Sequence, residues 1–157
     1  MFNAPFTEIL LVLLGALLLV AAVIDVRTFT ISNRLNLTVA LLAPLYWLSI
    51  ALPWWPDAAI QLGAGAGVFV LLALAFYAGM MGGGDVKLAA ALALWFSPLS
   101  TVKFLLIMSL AGGVLTLGYL AFHRLHRREG KPEIPYGVAI AIGGIAILTQ
   151  RFLNQFA

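Results

Sequence analysis

The sequence predicts an all-α protein that crosses a membrane about six times, and three observations carry that expectation. Hydrophobic residues make up 63% of the 157 residues and charged residues only 10%, with a mean hydropathy of +1.06. A water-soluble domain of this length could not hide so much apolar surface in one core. The apolar residues also fall into six runs, most of them close to the roughly 20 residues a helix needs to cross the hydrocarbon layer. None of the runs alternates with period two, which argues against a β-barrel. The length fits a single integral membrane domain over residues 1–157 and leaves no room for a separate soluble one.

The first run extends from about Thr7 to Ile24. The segment before it lacks the basic stretch of a signal peptide, so this helix is expected to be retained. The second runs from about Leu35 to Leu52, with Pro44 expected to bend it. Pro53-Trp54-Trp55-Pro56-Asp57 follows, placing two indoles at a lipid–water boundary and Asp57 as N-cap of the third run, about Ala58 to Met80. The fourth starts at Val86 and is interrupted by Ser97-Pro98, which predicts a short helix. The fifth covers about Val102 to Phe122 and the sixth about Ile134 to Phe152. Glycines at Gly63, Gly65, Gly67, Gly112, Gly113, Gly143 and Gly144 predict close helix–helix approach where lipid offers no hydrophobic drive.

Charge sets the orientation. The net charge is +3, but the basic residues cluster in two short joints, which reports topology rather than nucleic-acid binding. Arg27, Arg34, Lys87, Arg124, Arg127, Arg128 and Lys131 fall on one side of a six-span topology, and Lys103 and Arg151 on the other. The first side is therefore expected to be cytoplasmic. Asp25 and Asp85 both lie there, so topology permits them to meet.

These two acids are the candidate chemistry. The chain has only six carboxylates, and a carboxylate at a membrane boundary is costly to keep ionised. Asp85 follows Gly82-Gly83-Gly84, a turn with room for positive φ and for an extended peptide beside the backbone. Each acid also has a plain structural explanation. Asp85 could simply cap a helix, and Asp25 could pair with Arg27 or Arg34 at a helix end. Together they suggest more. Two carboxylates brought close share a proton, so one can accept from water while the other donates to a carbonyl oxygen or leaving amine. That chemistry needs no metal, cofactor or nucleophilic side chain. With no cysteine, thiolate chemistry and disulfides are excluded. His123 and His126 lack a third ligand nearby in sequence, and no serine or threonine has a base beside it. Lys87 could orient a substrate or lower the pKa of Asp85, against a plainer role at lipid phosphate.

Three segments resemble the prepilin peptidases, the aspartyl type IV leader peptidases of the GxGD class. Asp25-Val26-Arg27-Thr28-Phe29-Thr30-Ile31-Ser32-Asn33 resembles the family's Asp-x-Arg followed by Ile-Pro-Asn. Gly82-Gly83-Gly84-Asp85-Val86-Lys87 resembles its Gly-x-Gly-Asp-x-Lys, and Ile134-Pro135-Tyr136-Gly137-Val138-Ala139 its Pro-Tyr-Gly-Pro-Ala segment. Ser32 and Val138 stand where proline is usual. The resemblance implies a GxGD aspartyl endopeptidase with Asp25 and Asp85 catalytic. Gly82, Gly83, Gly84, Arg27, Asn33 and Lys87 are the candidate substrate-binding residues. It implies a prepilin or pseudopilin precursor and membrane lipid as partners, no metal or cofactor, and a multi-pass place in the bacterial inner membrane. The size resembles short members associated with tight-adherence (Flp) pili. Without the cysteine-bearing N-terminal region of bifunctional members, N-methylation is not implied. A small proton- or ion-coupled transporter and a non-enzymatic pilus assembly subunit are the rival readings.

Overall fold

The computed structural model describes residues 4–125 and 134–156. They form six helices and, among the described residues, no strand: α1 (Ala4–Thr28), α2 (Asn33–Ser49), α3 (Ala59–Tyr77), α4 (Gly83–Ala93), α5 (Pro98–Leu125) and α6 (Tyr136–Phe156). The all-α membrane architecture is the expected one. Four segments are long and apolar enough to cross a bilayer: Pro5–Thr28, Trp54–Tyr77, Pro98–Leu125 and Tyr136–Asn154. The other two helices are shorter. α2, with 17 residues, is about 25 Å long, and α4, with 11, about 16 Å. The hydrocarbon layer is about 30 Å thick. α4 is therefore too short to cross the layer by itself, in line with the short fourth helix expected from Ser97-Pro98.

A short helix is tolerated at this position because α4 is wrapped by protein rather than lipid. Leu88, Ala89, Leu92 and Ala93 are fully buried, and α2, α3 and α6 all pack on it. Its frayed end is closed by side chains. Trp47 Nε1 donates to Leu94 O at 2.7 Å, satisfying a carbonyl at the helix terminus. Trp95 Nε1 donates back to Val39 O of α2 at 3.0 Å. The polar handle of each buried indole thus locks α2 to α4. Large apolar side chains on α1, α3 and α5 remain exposed, among them Val12, Val70, Leu74, Leu110 and Val114. In a membrane protein these faces meet lipid.

Helix boundaries moved for local reasons. α1 runs past Asp25 to Thr28, so Asp25 belongs to its last turn. α5 begins at Pro98 rather than near Val102, because proline is accommodated where its missing N–H would be unpaired anyway. Asp57 lies in a kinked segment, Trp54–Ala58, where Trp55 is extended (φ −133°, ψ 129°), and Ala58 takes the N-cap position without a side-chain cap bond. Trp54 and Trp55 are exposed beside it, as a boundary position requires. α3 ends in a Schellman motif: Gly79 adopts φ +70°, and Met80 N and Gly79 N donate to Ala75 O and Phe76 O. The basic joint is described only to Leu125. His126, Arg127, Arg128, Glu129, Lys131 and Glu133 lie outside the described residues.

The two ends of the bundle are distinct. Thr7 Oγ1 donates to Ser49 Oγ at 3.0 Å, joining the start of α1 to the end of α2. Arg151 of α6 donates to the Tyr46 hydroxyl near that same end. At the other end the last turn of α1, the first turn of α4 and the start of α6 converge.

Glycine packing holds at only some of the expected positions. A Cβ on Gly143 would stand 3.0 Å from the Phe104 ring and 3.1 Å from Phe104 O, and one on Gly144 would stand 2.7 Å from Leu18. Gly65 is similarly closed by Leu94, and Gly112 by the Tyr136 ring. Gly63, Gly67 and Gly113 face open space, so close approach does not explain them. Gly143→Ala is expected to destabilise by about 1–3 kcal/mol through overpacking of the α5–α6 contact. Gly67→Ala should be neutral or stabilising, by up to about 1 kcal/mol from helix propensity. Thermal unfolding of both variants in one detergent checks the contrast; equal destabilisation would contradict it.

Candidate active site

Asp25 is 2% exposed and Asp85 7% exposed, and both side chains turn inward. Asp25 sits one turn before the end of α1, directly opposite the start of α6. Gly137 N donates to Asp25 Oδ2 at 2.6 Å. Gly137 belongs to the first turn of α6, whose amides have no partner within the helix, and the positive end of the helix faces the carboxylate. The approach is possible because residue 137 is glycine. A Cβ there would stand 2.8 Å from Asp25 Oδ2 and 2.9 Å from Asp25 Cβ.

Asp85 occupies the third position of α4, with Gly82, not Asp85, as N-cap. Its Oδ2 accepts from Gly82 N at 3.1 Å, one half of a capping box. Capping explains the local bond but not the burial, since an acid serving only as a cap can stay in water. Burial first, and then the charge of Asp25, push the Asp85 carboxyl up to about 7, and the Gly82 amide opposes them. Asp85 lies outside the four segments long enough to span the bilayer. The two acids are thus electrostatically coupled, and Asp25 makes no ion pair with Arg27 or Arg34 among the described residues.

Ile31 joins the two halves. After α1 the chain passes through Phe29 at φ 51°, a left-handed conformation that costs a non-glycine residue about 1–2 kcal/mol. That turn returns Ile31 into the bundle, where it is buried. A Cβ on Gly84 would meet Ile31 O at 2.7 Å, while Ile31 Cδ1 lies 2.8 Å from the Cβ position of Gly137. Gly84 and Gly137 therefore press on the same isoleucine from α4 and α6.

The remaining expected site residues are placed as follows. Gly83 and Gly84 lie in the first turn of α4, and Gly82 has φ −76°, so the turn does not use the positive φ its composition allows. Gly84 O accepts from Asn36 Nδ2 at 2.9 Å. Lys87 Nζ donates to Asn33 Oδ1 at 2.8 Å, so these two exposed residues engage each other rather than the acids. Lys87 is not among the influences on Asp85, which is raised and not lowered. Arg27 is exposed at the end of α1.

Three further residues support the site. Asn36 is buried in an apolar helix to hold the glycine turn; an amide inside a hydrophobic run was the available signal. Ser32 caps α2 by accepting from Leu35 N at 3.3 Å. Tyr136 shares a hydrogen bond with Thr116 at 3.2 Å and rests against Gly112, which fixes the start of α6.

A family model for the type IV leader peptidase family matches residues 12–117, a span that contains both acids. Curated relatives agree. The chain is 33% identical over 146 residues to a prepilin leader peptidase/N-methyltransferase of Pectobacterium carotovorum subsp. carotovorum, covering 90% of this chain and 51% of the relative. It is 33% identical over 144 residues to the protein of the same description in Aeromonas salmonicida (strain A449), covering 85% and 48%. The chain spans about half the length of the curated relatives it matches. No solved structure matches it. A match over most of the chain, with both inward-facing acids inside it, leads to one conclusion: this multi-pass membrane protein belongs to the type IV leader peptidase family.

Proposed function

We propose that the protein is an aspartyl endopeptidase that removes the leader peptide from type IV, Flp-like prepilins, with residues 1–157 acting as one membrane peptidase domain. Cleavage takes place at the cytoplasmic face of the bacterial inner membrane, without N-methylation. The observation that carries this reading is the acid pair itself: two buried carboxylates on different helices, each held by a backbone amide and coupled through charge. Family membership supports the substrate class. The positive-inside count supports the orientation, since Arg27, Arg34 and Lys87 lie at the same end of the bundle as the acids.

The chemistry follows from one proton shared between two carboxyl groups. Asp85, whose pKa is raised, carries it. Asp25 removes a proton from a water held between the acids as that water's oxygen attacks the scissile carbonyl carbon. Asp85 donates its proton to the carbonyl oxygen, giving a neutral gem-diol. Asp85 then takes a hydroxyl proton back as Asp25 gives its own to the leaving nitrogen, and the C–N bond breaks. The products are a carboxylic acid and an amine, and the pair is again singly protonated. A pilin precursor suits this depth: its basic leader stays in the cytoplasm, and its apolar segment enters the bilayer. Gly82, Gly83 and the exposed Arg27, Asn33 and Lys87 hold the polar flank of the peptide, with Gly84 backing the turn.

Asp25→Asn and Asp85→Asn are each expected to lower cleavage by about 10²–10⁴-fold or more while preserving helicity. The check is mass measurement of the new N-terminus after incubation with a pilin precursor from the same genome; full processing by either variant would refute the mechanism. The active form has Asp85 protonated, so kcat/KM should fall as pH rises through about 7. A profile still rising well into the alkaline range would contradict the assignment of the proton. Gly137→Ala forces Asp25 and α6 apart, and misplacement of about 1 Å is worth roughly 10²-fold in rate. Its kcat should fall while KM changes little, as steady-state kinetics on a precursor peptide would show.

A further inference from the structure

Positive-inside counting leaves only two basic residues at the end of the bundle remote from the acids, Lys103 and Arg151. Two stray cations on that side have no reason to meet. Yet both line one cavity of about 560 Å³, together with Tyr46, Gln61, Ser97 and Ser100. Among the described residues no carboxylate lines it.

The cavity is built rather than incidental. Arg151 lies over the Tyr46 ring, 5.1 Å from its centroid, and donates to the Tyr46 hydroxyl. Tyr46 in turn stacks on Trp95 at 5.1 Å, and Trp95 is fixed by its bond to Val39 O. The guanidinium is thus held in place by a buried aromatic stack, with its other N–H donors unspent on Tyr46. Ser97 and Ser100 hydroxyls bond to each other at 3.1 Å at the start of α5, whose first amides add positive potential. Gln61 is buried with its amide oxygen unpartnered. An amide can present either its oxygen or its NH2 to a ligand, so Gln61 supplies a further polar contact.

Cations, hydroxyls and a helix start describe a site for a phosphate-bearing anion. Two features select a lipid over a free ion. The volume far exceeds a phosphate ion, which displaces only a few water volumes of about 30 Å³ each. Buried Leu11, Ile147 and Leu148 give the cavity an apolar wall, which suits the glycerol and first acyl carbons of a lipid. Basic pockets between membrane helices hold anionic headgroups by this combination. We propose that this cavity binds the headgroup of an anionic phospholipid in the leaflet opposite the acids, anchoring α6 to the α4–α5 turn. The assignment is independent of the peptidase reading.

The test is native mass spectrometry of the full chain released from micelles containing phosphatidylglycerol or phosphatidylcholine. One phosphatidylglycerol is retained in preference to phosphatidylcholine, and Arg151→Gln and Lys103→Gln each weaken retention about fivefold. Arg151→Lys, which keeps the charge but loses the fork, falls between Arg151→Gln and the unaltered chain, and Arg34→Gln at the other end leaves retention unchanged. Lys103 is exposed, so its variant reports on the site even where altering Arg151 impairs folding. Equal retention of both lipids, or full retention by Lys103→Gln, would overturn the proposal. Displacement of the bound lipid by millimolar inorganic phosphate would also overturn it, in favour of a free-anion site.

Discussion

The bond from Gly137 N to Asp25 is the constraint on which the rest of the site depends. A carboxylate buried in an apolar bundle requires a donor, because the alternative is an unsatisfied polar group in a medium that offers none. The start of α6 supplies that donor at 2.6 Å, which obliges α1 and α6 to approach closely. Nothing larger than glycine fits between them. Once α6 is seated, Ile31 is trapped between Gly137 and Gly84, and the first turn of α4 is set against it. Asp85 comes within reach of the charge of Asp25 as a consequence. One polar requirement therefore brings together residues from widely separated parts of the chain.

The same logic runs through the scaffold. Lipid tails are as apolar as leucine, so burial alone gives these helices little reason to associate. The bundle relies on close approach at Gly65, Gly112, Gly143 and Gly144, and on the polar ends of Trp47 and Trp95. α4 is the beneficiary. Enclosed by α2, α3 and α6, it carries Asp85 without needing the length of a full crossing. A helix that met lipid along its sides would have to span; one surrounded by protein need only deliver its first turn to the right depth.

The two ends of the molecule divide the polar work. At one end lie the two buried acids, the glycine backbone that donates to them and the exposed Arg27 and Lys87. At the other, Arg151 lies over the stacked Tyr46 and Trp95 rings and lines one cavity with Lys103. Between them lies a core of leucine, alanine and isoleucine from α1, α4 and α6. Fixing α6 at both ends, by Asp25 and Ile31 at its start and by Tyr46 near its finish, holds Gly137 steady against the acid.

Much of this was legible in the residues. Composition and run length determine an all-α membrane protein, since apolar surface on that scale has no aqueous solution. Charge asymmetry and alternating crossings put Asp25 and Asp85 at one end, and the motifs around them point to the family. The sequence could not reveal that Gly84 and Gly137 share Ile31, that Asn36 holds the glycine turn, or that Lys87 pairs with Asn33. Nor could it show that Gly63, Gly67 and Gly113 face open space while Gly143 and Gly144 are packed. Local pattern records which residues suit a helix and which suit lipid, because those preferences act within a turn or two of the chain. Which side of a helix meets which neighbour depends on the rotation of each helix about its axis, and that is decided only when all six pack together.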